Sequence, residues 1–248
     1  MNYVETKPPP QLYGFVKAFW SLSVNASKSA WVEHRATPDG CIEIIRRLSG
    51  RSLWMREQPT CFAAGLSDQH APLRFSGDAS FVAVRFWPWT WHLLGGLEAR
   101  LFWSDWIDVG QMSTLESICG VLDQPEAAQS AIWNALTQAP QYLMVQHVGR
   151  AILTSSSVEE ILAQTGYNAR WLQRWATTYL GIPLRTYLRL LRFQNALSDV
   201  QTDAARLADH APKHGFADEA HLSREFRKLA GGPPSAVRRG AKGPFIPN

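Results

Sequence analysis

Between Val158 and Arg239 the sequence twice repeats one pattern, a glycine turn opening onto a short amphipathic helix, and few folds accommodate both copies. In the second copy Gly215 makes the turn. Leu222, Phe226 and Leu229 then follow at i, i+4 and i+7, which puts them on one helical face. His221, Arg224 and Lys228 fall at i, i+3 and i+7 on another face. In the first copy Gly166 makes the turn and Asn168 is the expected N-cap, its short polar side chain accepting an otherwise unpaired amide. Leu172, Trp175, Tyr179 and Leu180 form the apolar stripe, and Arg170, Gln173, Arg174 and Thr177 the polar one. Arginine and glutamine at such spacing are the side chains that read guanine and adenine edges in a major groove.

Charge follows the same division. From Arg150 onward the chain has 14 Lys/Arg against 8 Asp/Glu; before it, 11 against 13. A basic module that binds anions, joined to a module with another task, fits this split. The whole chain has 248 residues and 46% hydrophobic composition, enough for more than one core. No apolar run approaches the roughly 18 residues needed to cross a bilayer. The polar, proline-containing start (Pro8-Pro9-Pro10) lacks the apolar centre of a signal peptide, so a cytoplasmic protein without a membrane partner is expected. Cys41, Cys61 and Cys119 share no metal-type spacing and read as reduced thiols.

From Leu12 to about Val109 alternating apolar runs are bounded by turn signals. Cys41-Ile42-Glu43-Ile44-Ile45 follows Pro38-Asp39-Gly40, and Ser80 to Phe86 follows Ser76-Gly77-Asp78. Many short strands at this spacing point to a small barrel or sandwich. Trp87, Trp89 and Trp91 alternate as on a strand, which would line one face with rings; they are the candidate effector-binding residues, beside the plainer reading of a packed core. From Thr114 to Leu153 the period becomes helical, with breaks near Pro125 and Pro140. These helices either cover the strands or pair with a second copy of the chain. His34, His70 and His92 lack close ligand partners, and no nucleophile elbow, phosphate loop or dinucleotide fingerprint occurs, so neither a metal, a cofactor nor an enzyme is expected.

Ser157-Val158-Glu159-Glu160 reads as a capping box. Leu184 to Val200 reads as one helix of about 25 Å at 1.5 Å per residue, long enough to carry two readers into adjacent major grooves about 34 Å apart. Its inward positions are Leu184, Tyr187, Leu188 and Leu191. Arg185, Arg189 and Arg192 make an outer stripe, the candidate phosphate contacts.

Leu172-Gln173-Arg174 with Leu180-Gly181, and Gly215-Phe216 … His221-Leu222-Ser223-Arg224-Glu225-Phe226 … Gly231 … Pro234 … Arg238, resemble the DNA-binding domain of the AraC/XylS family of bacterial transcription regulators. The resemblance covers about 80 residues. It implies an all-α domain of about seven helices with two helix–turn–helix units, at 141–240, bound to double-stranded promoter DNA. The base-contacting positions it implies are Arg170, Gln173 and Arg174, then Glu219, Ala220, His221 and Arg224. RNA polymerase as a partner and activation rather than repression are further implications. Leu12 … Phe19-Trp20, Pro38-Asp39-Gly40-Cys41 and Val84-Arg85-Phe86 … Leu93-Leu94-Gly95 resemble the cupin-like, effector-sensing domain that precedes such readers, implying an α+β chain with a sensor at 1–140 and a small-molecule effector. Residues 241–248 read as a loose tail. Pro212, His210 and His214 depart from the family by replacing apolar residues, and Pro212 should end or kink its helix. That leaves as an alternative a protein-interaction or ligand-binding module whose DNA reader is weak and non-specific.

Overall fold

Period-two alternation in the first hundred residues does produce strands. The computed structural model describes residues 1–202, 207–238 and 245–247. Strands β1 (Asn2–Thr6), β2 (Val16–Ser23), β3 (Trp31–Ala36), β4 (Ile42–Ser49), β5 (Ser52–Trp54), β6 (Arg56–Glu57), β7 (Cys61–Ala64), β8 (Ala71–Ser76), β9 (Ser80–Phe86), β10 (Trp106–Asp108) and β11 (Phe245–Pro247) form two antiparallel sheets. One runs in the order β1-β2-β9-β4-β7-β10, the other β11-β3-β8-β5-β6. Trp20, Leu22, Ile45, Phe62, Phe75, Phe81 and Ala83 pack between the two sheets.

The larger sheet is covered on both faces, which explains why its central strands read as nearly continuous apolar runs. Along β9, Phe81 and Ala83 join the inter-sheet core while Val84 and Phe86 join a second core on the helical side. In β2 a register shift between Val16 and Ala18 re-aims the side chains, so Val16 faces the helices although Trp20 and Leu22, of the same parity, face the other sheet.

The helical side begins with α1 (Pro88–Leu93), α2 (Ser113–Gly120) and α3 (Pro125–Gln138). Here the expectation for the tryptophans is corrected. Strand β9 stops at Phe86, and Pro88 in the first turn of α1 sets a helix, so the run Trp87, Trp89, Trp91 is helical rather than alternating. Trp89 and Trp91 are wholly buried, and their indole N–H groups donate to the carbonyls of Gly14 and Leu97, each at 2.7 Å. Trp87 stacks on Trp89 at 5.8 Å. None of the three lines the inter-sheet cavity described below.

Two more expectations fail. Cys61 on β7 and Cys119 on α2 are joined in a disulfide, leaving only Cys41 with a free, buried thiol. Their separation of 58 residues carries no spacing motif; the pairing arises because α2 packs directly on the sheet. The tail is not loose throughout: Phe245–Pro247 pairs with His34–Ala36 of β3 as an edge strand. The rest of the segment expected to be loose, 241–244 and 248, lies outside the described residues.

Seven further helices follow among the described residues: α4 (Tyr142–Thr154), α5 (Val158–Thr165), α6 (Ala169–Tyr179), α7 (Leu184–Thr202), α8 (Leu207–Lys213), α9 (Glu219–Ala230) and α10 (Pro234–Arg238). The breaks fall at Pro125, in the first turn of α3, and at Pro140, between α3 and α4. Pro212 lies inside α8, one residue before its end, and the His214 amide still donates to the His210 carbonyl at 3.2 Å, so the helical bonding runs past the proline. Residues 203–206, just before α8, lie outside the described residues.

The packing does not pause at residue 140. One apolar cluster runs from Leu12 through the larger sheet, α1 to α6 and on to Leu188 of α7. A separate cluster collects Leu190, Phe193, Leu197 and Val200 of α7 with Phe216 and the buried face of α9. Helix α7 is therefore one rod of 19 residues with each half rooted in a different core.

Candidate nucleic-acid interface and ligand cavity

Local capping fixes where the first reader begins. Ser157 Oγ accepts from the Glu160 amide at 3.2 Å, but the Glu160 carboxylate turns to the Ser156 amide at 2.8 Å, so only half of the expected capping box closes on Ser157 itself. Gly166 ends α5 in the left-handed conformation, φ +71°, a backbone shape that costs glycine little. Asn168 then caps α6, its Oδ1 accepting from the Trp171 amide at 2.9 Å. Within α6, Leu172, Trp175, Ala176 and Tyr179 are buried while Arg170, Gln173, Arg174 and Thr177 are exposed. The Thr177 hydroxyl donates to the Gln173 carbonyl at 3.0 Å. The buried face meets the sheet-bearing half of the chain: Trp175 lies 6.2 Å from Trp89, and Tyr179 packs edge-on against His92 at 5.1 Å.

The second reader repeats the plan. Asp218 caps α9, accepting from the His221 amide at 2.6 Å. Leu222, Phe226 and Leu229 have no exposed surface, and burying side chains of this size stabilises by about 1.5–3 kcal/mol each. Glu219, Ala220, Arg224 and Lys228 are exposed. His221 is half-buried; its Nδ1 accepts from the Ala217 amide at 3.3 Å and its ring stands edge-on to Phe216.

Among the described residues, Arg170, Arg174, Arg185, Arg224 and Lys228 are held in no ion pair. The other two arginines expected on the phosphate-facing stripe of α7 are placed differently. Arg189 is engaged by Glu225 of α9 through two bonds, 2.5 and 2.9 Å. Arg192 donates to the Gly215 carbonyl at 3.2 Å and lies over the Phe216 ring. A stripe on a single helix reads as solvent-facing; here a second helix and a turn close over two of its three members and use them as struts.

A cavity of about 90 Å³ lies between the sheets. Its walls are mostly apolar and include Trp20, Trp54, Phe62, Phe75 and Phe81. One end is charged. Glu43 and Arg85 stand opposite each other on β4 and β9 with their side chains in hydrogen-bond contact; Asp39 sets a carboxylate on the Arg85 guanidinium at 2.7 Å and Glu5 another at 2.6 Å. Burial pushes the Glu43 carboxyl up to about 8 against the opposing pull of Arg85. Sequence reading misses this cluster. Its only trace is a charge between apolar neighbours, in Ile42-Glu43-Ile44 and Val84-Arg85-Phe86.

The cavity wall also reaches the connecting rod. Pro38 and Asp39 line the cavity. On the other side of the same turn the Tyr187 hydroxyl donates to the Gly40 carbonyl at 2.9 Å, and the Gln194 side-chain amide donates to the Pro38 carbonyl. Gly40 has φ +70°, and a Cβ there would lie 3.4 Å from Leu191, so the turn sits close against α7.

Two helix–turn–helix units joined by one long helix define the C-terminal half as a double helix–turn–helix domain. Comparison agrees. Residues 161–240 match the family described as a helix-turn-helix domain, and residues 4–106 match a domain of unknown function (DUF6597). Over 82 residues the chain is 33% identical to YkgA of Escherichia coli (strain K12), described as an HTH-type transcriptional regulator, with 33% of this chain and 34% of that protein covered. It is 30% identical to the HTH-type transcriptional activator AarP of Providencia stuartii, again over 82 residues, with 33% and 61% covered. The chain thus spans less than two thirds of the length of these relatives. The crystal structure of ToxT from Vibrio cholerae O395 aligns with a TM-score of 0.45 and 11% identity over 88% of this chain and 96% of that one. By fold and by family match alike, residues 161–240 form a helix–turn–helix domain.

Proposed function

We propose that the chain is a ligand-responsive transcription regulator that binds double-stranded promoter DNA through α6 and α9. The observation that carries this reading is the exposed polar stripe on α6, its two arginines held in no ion pair among the described residues, on a helix whose other face is buried. Arg170, Gln173, Arg174 and Thr177 are the proposed contacts of the first reader, and Glu219, Ala220, His221, Arg224 and Lys228 those of the second. Arg185 remains the proposed phosphate contact of α7; Arg189 and Arg192 are withdrawn from that role. A small, largely apolar effector would enter the inter-sheet cavity. It would bias the turn at Pro38–Gly40, and through Tyr187 and Gln194 the set of α7, which carries both readers. Activation, with RNA polymerase as partner, is favoured over repression by the likeness to AarP, which is described as an activator. A weak, non-specific reader gains no support from the packing of α9, whose apolar stripe is buried in full despite Pro212.

The test is fluorescence anisotropy of the full chain on DNA from upstream of its own gene and on random duplex. Binding should prefer the upstream DNA, and Arg174→Ala should weaken it by about 1–3 kcal/mol while relaxing one base position. Equal affinity for both duplexes would exclude the reading.

A further inference from the structure

We propose that Asp199, His210 and His214 form a binding site for a divalent transition metal, Zn²⁺ or an ion of similar preference, that clips α8 onto α7. His210 lies on α8, and His214 follows it directly. The His214 amide still donates to the His210 carbonyl at 3.2 Å, so the two rings sit one helical turn apart, with centroids 6.5 Å from each other and planes inclined by 17°. Asp199, near the end of α7, faces them; its Oδ2 lies 2.9 Å from His214 Nε2. One ligand atom from each of the three residues falls within 4.8 Å of the other two.

The second observation concerns His210 alone. Its side chain is 1% exposed, and its Nε2 is buried with no hydrogen-bond partner. A buried polar atom left unpaired costs about 1–3 kcal/mol, and such an atom in a native fold calls for a partner that completes it. A metal ion is such a partner. Imidazole nitrogen and carboxylate oxygen are the donors that zinc takes, at about 2.0–2.2 Å. Tetrahedral coordination at that radius separates ligand atoms by on the order of 3.4 Å, which small side-chain rotations achieve from the present spacing. Three protein ligands leave the fourth position to water.

A rival cation is already present: Lys213 Nζ lies 2.5 Å from Asp199 Oδ2. The Lys213 side chain is 58% exposed, and ion pairs so placed contribute little, so a divalent ion can displace the ammonium into solvent. Two imidazoles one turn apart on one short element and a carboxylate on the next rod then tie the opening helix of the second reader to α7. Metal bound to the folded chain stabilises it in proportion to the logarithm of metal concentration over Kd. The site is argued without reference to DNA, and its test uses none, so it stands or falls apart from the proposed function.

The full chain, stripped of metal with a chelator, is titrated with Co²⁺ while visible ligand-field absorption is followed, then with Zn²⁺ in competition. One equivalent should bind, Zn²⁺ should displace Co²⁺, and Zn²⁺ should raise the unfolding temperature. Asp199→Asn and His214→Gln should each weaken binding by at least about tenfold, the loss already seen when an outer partner of a ligand is removed. These two positions are partly exposed and carry the test if His210→Gln fails to fold. No saturable Co²⁺ binding, or one-equivalent binding that persists unchanged in both variants, would overturn the site.

Discussion

Glu43 shows how a single residue can be placed by two sheets and missed by one strand. Its carboxyl is raised from an ordinary 4.5 to about 8, chiefly because burial disfavours the charged form. Between those values the folded chain holds a proton that the unfolded chain has released. Stability from this group is therefore complete below about pH 4.5, declines as pH climbs through the window, and is lost above about 8. Glu43→Gln should flatten that decline, by up to about 1.4 kcal/mol per pH unit, as read by unfolding temperature from pH 5 to 9. A wild-type curve with no downward slope over that range would contradict the buried carboxyl. Strand periodicity identified β4 and β9 but gave Glu43 and Arg85 no address, because a polar residue on a strand faces water unless a second layer covers it. The same ambiguity affected Trp87, Trp89 and Trp91. Three residues at a spacing of two suit a strand, and a short helix beginning at Pro88 imposes no longer pattern to exclude it. Arg170, Gln173 and Arg174 were readable because eleven residues of α6 give the helical period room to show.

At the scale of elements, the reader helices were legible from caps, glycine turns and apolar stripes, all local features. The bond between Cys61 and Cys119 was not, since it joins β7 to α2 across 58 residues and depends on tertiary packing alone. Closing a loop of that length would stabilise by about 4 kcal/mol on chain-entropy grounds. Alkylation in denaturant should label one of the three thiols before reduction and all three after it, counted by intact mass. Three labels without reduction would remove the crosslink. The engagement of Arg189 is hidden from the sequence for the same kind of reason: its partner, Glu225, lies on another helix 36 residues away.

Taken whole, the basic half of the molecule presents cationic groups of unequal availability. If the proposed function holds, affinity should fall linearly on a log–log plot against salt, by about 0.9 per neutralised phosphate. Arg185→Ala should reduce the slope by about one such step. Arg189→Ala should leave the slope alone and lower thermal stability instead, because it abandons Glu225 at a half-buried ion pair. Equal slope changes in both variants would erase the distinction between free and engaged arginines.

The contact of Trp175 and Tyr179 with Trp89 and His92 has a practical corollary. A recombinant fragment starting at 141 would lose the surface that covers those rings, laying a broad greasy patch bare. Such an excised reader should be poorly soluble or self-associating in gel filtration where the intact chain is not. Swapping this reader onto a foreign sensor would then require carrying α1 along with it.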